Sequence, residues 1–305
     1  MITSTRDTRT RGLTRECHEV PGGSAMDLAS TQKLNLICGV GFAIASGSMI
    51  LTRMGNWRWK ALWWFSVLGL LFQVVNAQVL LFLRITCPFK FDLYFFYIDR
   101  AFGQPSFWIA RFLNSHHCLF SSSMMAYWIL SVPVYVLGAM YFLTQSRPAS
   151  ITYVRTLLLN FGLCVPLYLM VPVAGPAHAF DGFPWVSPDV DMPQAVSFIA
   201  IPNGFPSIHT STALLILYFA RRWKVGTILA SVFLVLIVLS TLGLGEHYFI
   251  DLIAGALYSA AVIWLGDGRQ ATVPQPLDKR WKKRAFGYLP STITVIGRGS
   301  HRFLR

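Results

Sequence analysis

Uninterrupted apolar stretches of about 20 residues recur along this chain, and they decide what it can become. A bilayer core offers no water to a polar backbone, so a chain that crosses it must be helical or a closed barrel. Unbroken runs of this length read as helices. Seven stand out, at roughly 34–52, 61–83, 120–143, 153–173, 207–221, 225–243 and 247–266. Only 13% of the 305 residues are charged against 54% hydrophobic, about half the charge of an ordinary soluble domain. The expected fold is therefore an all-α, polytopic membrane bundle of six or seven transmembrane helices. The count turns on the first stretch, which Gly39, Gly41, Ser46, Gly47 and Ser48 make the least apolar.

Between the second and third stretches, residues 84–118 mix aromatics with Asp92, Asp99, Arg100 and Arg111. That mixture predicts an interfacial amphipathic segment with its aromatics as anchors. Four regions result: a polar N-terminal arm (1–33), N-terminal transmembrane helices (34–83), a membrane domain (84–266) and a basic tail (267–305). The tail's composition predicts weak order.

The net charge of +13 is not a nucleic-acid signature, because the basic residues occupy short loops and the tail. Arg58 and Lys60, Arg147 and Arg155, Arg221 to Lys224, and the tail all fall on one side if seven spans alternate. Lys/Arg bias places that side in the cytoplasm, with the tail on anionic lipid. The opposing loop 174–206 has no Lys or Arg and carries Asp181, Asp189 and Asp191. It is expected on the exoplasmic face. The basic N-terminal arm fits less well, unless the first stretch does not cross. Of five cysteines, none shows metal-type spacing, and Cys87 and Cys118 share one exoplasmic segment where a disulfide is allowed.

Loop 174–206 runs 33 residues with six prolines, and loops that long are usually functional or disordered. It leads into Pro206-Ser207-Ile208-His209, where Pro206 predicts a helix start and places Ser207 and His209 in the first turn. Unpaired N–H groups there favour an anion. The seventh stretch opens Gly245-Glu246-His247 and then Asp251, four residues on and on the same helix face. The fifth and seventh stretches run in the same direction, so His209, His247 and Asp251 gather at one membrane face beside the loop. Such a cluster could cleave a phosphate ester. One imidazole, oriented by the carboxylate, attacks phosphorus to form a phosphohistidine, and the other protonates the departing oxygen. Blander roles stay open: interfacial hydrogen bonding for the histidines, a structural tie for Asp251, a helix start for Ser207. His116, His117 and His178 could reach the same face without an assigned role.

These residues resemble the type 2 phosphatidic acid phosphatase superfamily. Pro206-Ser207-Ile208-His209 is similar to its P-S-x-H motif, and His247-Tyr248-Phe249-Ile250-Asp251 to its H-x-x-x-D. The H-Y-x-x-D wording, with Gly175-Pro176 upstream, looks most like the inositolphosphotransferase branch, which includes inositol phosphorylceramide synthases. The resemblance implies His247 as nucleophile, Asp251 as its orienting partner, His209 as acid and Ser207 as a phosphate contact. It implies no metal and no cofactor, with a membrane lipid bearing a phosphate headgroup as substrate. The family's Lys and Arg-Pro before P-S-x-H are absent here, since Arg147-Pro148 is expected on the other side, and its Ser-Arg reads Ser240-Thr241. Arg100 and Arg111 are then the topological candidates to bind phosphate. Two other classes remain. His209, His247 and Asp251 could be metal ligands of a hydrolase or transporter, or the chain could be a scaffold without catalysis.

Overall fold

The computed structural model describes residues 56–185 and 192–267, with six helical positions between 39 and 47. The N-terminal arm, most of the first apolar stretch, segment 186–191 and the basic tail lie outside the described residues. The chain forms α1 (Trp57–Thr86), β1 (Phe89–Lys90), α2 (Asp92–Ala101), α3 (Pro105–Ser115), α4 (His117–Trp128), α5 (Ser131–Thr144) and α6 (Arg147–Met170). There follow α7 (Pro176–Ala179), β2 (Val196–Ser197), α8 (Ile208–Ala220), α9 (Lys224–Gly243) and α10 (Phe249–Asp267). The architecture is an all-α helix bundle. Its two short strands pair antiparallel, Phe89 with Ser197 and Lys90 with Val196.

Helices α1, α6, α9 and α10 are long and apolar enough to cross a membrane, and α4 with α5, bent by 55°, is either a broken fifth span or a re-entrant pair. The single span expected over 120–143 is broken at Ile129–Leu130. Pro133 explains the break, because it cannot donate to the Ile129 carbonyl and its ring crowds that oxygen. Val132 instead donates to Ile129 in a tighter turn. The expected interfacial segment is two helices of 10 and 11 residues, too short to span. Cys87 and Cys118 are separate thiols.

The 13 residues of α8 extend only about 20 Å, against about 30 Å of hydrocarbon. The helix is therefore too short to cross on its own, and most of its residues are buried inside the bundle. Contacts with α6 and α10 hold it there. Asn160 donates to Thr212 Oγ1 at 3.1 Å and accepts from Ser211 at 2.6 Å, while Tyr258 donates to the Asn160 carbonyl. At the opposite end, Phe65, Tyr135, Tyr141, Phe142, Tyr153 and Phe219 pack into an aromatic core joining α1, α5, α6 and α8. Basic side chains collect at that end too: Arg58 donates to the Leu143 carbonyl and Arg155 to Gly266.

Close approach of α8 to α10 depends on Gly255. A Cβ there would sit 2.6 Å from the Ser207 carbonyl oxygen. Gly255→Leu is expected to cost at least about 1–3 kcal/mol by overpacking, read as a lower melting temperature in detergent. A variant as stable as wild type would show that this contact does not set the depth of α8.

Candidate active site

Ser207 caps α8: its Oγ accepts from Thr210 N at 3.4 Å and from Thr210 Oγ1 at 3.1 Å. Pro206 thus precedes the cap, not in the first turn, and His209 is the second residue of the helix. His247 also lies outside its helix, two residues before α10 begins, so helical i,i+4 spacing is not what brings Asp251 to it. The Asp251 side chain turns back over the helix start. Its Oδ2 accepts from Tyr248 N at 2.7 Å, a carboxylate three residues in that satisfies an otherwise orphaned donor. The same oxygen stands 3.6 Å from His247 Nδ1.

The closer partner of that nitrogen is the Gly204 carbonyl, at 2.9 Å. A carbonyl can only accept, so Nδ1 carries the proton and Nε2 of the neutral ring keeps its lone pair. Nε2 faces His209 Nδ1 at 3.5 Å. His209 stacks on Tyr127, ring centroids 4.3 Å apart. Asp251, His247 and His209 are therefore strung in series along one line of contacts and do not converge on a point. Among the described residues no three His, Cys, Asp or Glu side chains are grouped to hold a metal.

Three further acidic groups build this site, and the sequence reading gave none of them a role. Asp92 and Asp99, from the segment read as interfacial, are both fully buried. The Asp92 carboxylate accepts from Ala174 N at 3.1 Å, Gly175 N at 2.8 Å and the Tyr248 hydroxyl at 3.1 Å. It ties the start of the long loop to the residue after His247. Asp99 accepts from Phe249 N at 2.9 Å, capping α10. Burial pushes both carboxyls above the usual range against the pull of these hydrogen bonds. Above them Phe95, Phe96, Phe107, Phe180 and Tyr248 pack as an apolar lid core. The third group, Glu246, meets His178 Nε2 at 3.4 Å. That hydrogen bond raises the His178 pKa against burial. At Glu246 burial is the largest single effect and pushes upward, but the hydrogen bond together with the charges of His178, His247 and His209 outweighs it and lowers the carboxyl's pKa.

Glycine makes the loop fit. Gly175 has φ +107, and a Cβ there would strike the Glu246 carbonyl. Ala177 N donates to Gly245 at 3.0 Å and Gly204 N to Val173 at 2.6 Å. Both ends of loop 174–206 thus close on the turn carrying His247.

A cavity of about 650 Å³ opens beside His209, Glu246 and His178 and runs down between α1, α4, α5, α6 and α8. Its walls are mostly apolar. His209 lines it, whereas His247 is 2% exposed and stands behind. Neither arginine expected at the phosphate reaches it. Arg111 donates from Nε to the Pro184 carbonyl at 2.7 Å, bracing the loop, and Arg100 is exposed on α2 outside the cavity lining. Among the described residues the lining lysines and arginines reduce to Arg84, on α1.

A family model described as the PAP2 superfamily matches residues 94–265. The chain belongs to the PAP2 superfamily. It is an integral membrane protein and, at the level of that superfamily, a phosphatase or phosphotransferase. No curated protein and no solved structure matches it. The PAP2 match takes in α2 from Tyr94 onward and all three residues of the His–His–Asp series, while α1 and its cavity face lie outside it.

Burial lowers the His247 pKa to about 4, although Glu246 and the Gly204 carbonyl oppose the shift. A lowered value means that the neutral ring persists as pH falls, and is lost only through about pH 4. The acid limb of kcat/KM that belongs to this group should therefore lie near 4. A limb at the ordinary histidine value near 6.5 would show that His247 titrates as a solvated ring and does not act as placed here.

Proposed function

We propose that this protein cleaves a phosphoester of a membrane lipid through a phosphohistidine on His247. The observation that carries the reading is the His247 ring: Nδ1 is held as a donor by Gly204, with Asp251 alongside, and Nε2 keeps a free lone pair toward His209. Attack by Nε2 forms the N–P bond as the ester P–O bond breaks, and His209, in the imidazolium form that the negative charge of a bound phosphate favours, gives its proton to the departing oxygen and becomes neutral. Phosphorus cannot stand between nitrogens 3.5 Å apart. Substrate in the cavity must displace His209 along the face of Tyr127. Water or an alcohol, deprotonated by His209 in return, then takes the phosphoryl group from His247.

The H-Y-x-x-D wording of the second motif and the scarcity of cations around the site support placement in the inositolphosphotransferase branch, with a lipid alcohol as acceptor and sphingolipid chemistry as its setting. The one-sided basic residues support an exoplasmic active site with a cytoplasmic tail on anionic lipid. The reaction is tested by phosphate release from phosphatidic acid in detergent, with and without a chelator, and then with added lipid alcohol. Chelator-insensitive release, diverted to a phosphorylated alcohol when one is supplied, is the expected result. Release abolished by the chelator and restored by a divalent cation would instead favour a metal-dependent hydrolase.

A further inference from the structure

Helix α1 brings a polar stripe to a cavity that is otherwise apolar. Gln73, Asn76, Leu80 and Arg84 all line it, and their spacing of three, four and four places them on one helix face. Among the described residues, the Gln73 and Asn76 amides and the Arg84 guanidinium have no hydrogen-bond partner in the protein. Amides inside a membrane helix are costly unless they meet a partner. Their depth can be read from the packing. Leu80 and Leu83 share an apolar cluster with Ile201 and Ile208, which sets His209 level with the turn of α1 around Leu80. At 1.5 Å per residue, Arg84 stands about 6 Å above that level, Asn76 about 6 Å below it and Gln73 about 10 Å below.

We infer that this stripe reads the backbone of the lipid substrate. Arg84 meets the phosphate oxygens from above. Asn76 hydrogen-bonds the first carbonyl or hydroxyl below the phosphoester, and Gln73, one turn deeper, the next such group. In glycerolipid and sphingoid phosphates such a group lies a few bonds from phosphorus, roughly 5 Å at ordinary covalent lengths, which fits Asn76. A polyprenyl phosphate has no such group and leaves both amides unpaired. The stripe therefore selects carbonyl- or hydroxyl-bearing lipid phosphates over polyprenyl phosphates, with its determinants on a helix outside the family match. The position of phosphorus rests on the function proposed above.

The test uses the full chain in mixed micelles and three ligands: phosphatidic acid, ceramide 1-phosphate and a polyprenyl phosphate. Binding of their non-hydrolysable phosphonate analogues is measured beside phosphate release. Asn76→Leu combined with Gln73→Met should raise KM and weaken analogue binding about tenfold for whichever carbonyl-bearing lipid is preferred. It should leave kcat and polyprenyl phosphate binding unchanged. Phosphatidic acid affected alone identifies the ester carbonyl; ceramide 1-phosphate affected alone identifies the amide or hydroxyl. Arg84→Gln should weaken all three. Equal weakening by the double variant across all ligands, no weakening at all, or no analogue bound by wild type overturns the inference. Stripe-dependent binding without phosphate release leaves the stripe standing and removes only the proposed reaction.

Discussion

Replacing His247 with alanine is expected to lower phosphate release from the lipid substrate by at least about 10³-fold, because the proposed attacking atom is gone. The fold should survive, since the ring's own hydrogen bonds are two, one to the Gly204 carbonyl and a long one, 3.5 Å, with His209. The Tyr248 and Phe249 amides that start α10 are held by Asp251 and Asp99. Melting temperature and elution behaviour should therefore match wild type. His209→Ala should also lose activity, but less on substrates with good leaving groups that need no proton. A His247→Ala variant that still turns over would transfer the attack to His209, the ring that faces the cavity.

The second large effect is expected at Asp92, which touches no catalytic ring. Its carboxylate gathers the Ala174 and Gly175 amides and the Tyr248 hydroxyl. Asp92→Ala strands all three donors in a buried place, at about 1–3 kcal/mol each. It also frees the loop start from the residue that follows His247. Activity should fall about 10²-fold, the scale of a small misplacement of reacting groups, together with a clear drop in melting temperature. Asp92→Asn keeps an acceptor and should recover part of both. Full activity with an unchanged melting temperature in Asp92→Ala would show that the clamp does not position the site.

What could be read from the sequence follows from where its information is stored. Apolar runs gave the bundle, because membrane insertion is a matter of local composition. Parallel directions of the fifth and seventh runs placed His209 near His247 before any geometry was known. Helix ends were harder. Pro206 and His247 stand outside the helices that the motifs suggested they open, because side-chain caps from Ser207 and Asp251 decide where those helices begin. The break before Pro133 was legible in principle, since proline in an apolar helix frees the carbonyl four residues earlier.

Partners distant in sequence left no pattern to read. Asp92 meets Tyr248 across 156 positions, Asp99 meets Phe249 across 150, and the Gly204 carbonyl meets His247 across 43. Two of these contacts use backbone groups, which every residue carries. Charge near an aromatic segment looked interfacial, and only the fold shows that Asp92 and Asp99 point inward. The same ambiguity makes Arg100 and Arg111 candidates for phosphate, whereas among the described residues the arginine lining the cavity is Arg84, at the end of a helix that reads only as a span.

The central claim is a phosphoryl group carried on His247 Nε2, and the direct measurement is to trap it. Wild-type protein turning over phosphatidic acid labelled with heavy oxygen in its phosphate is quenched in base, where phosphohistidine survives, and its peptides are analysed by mass spectrometry. Labelled phosphate is expected on the peptide containing His247, absent in His247→Ala. Label on the His209 peptide, or continued turnover with no phosphorylated histidine at all, would contradict it.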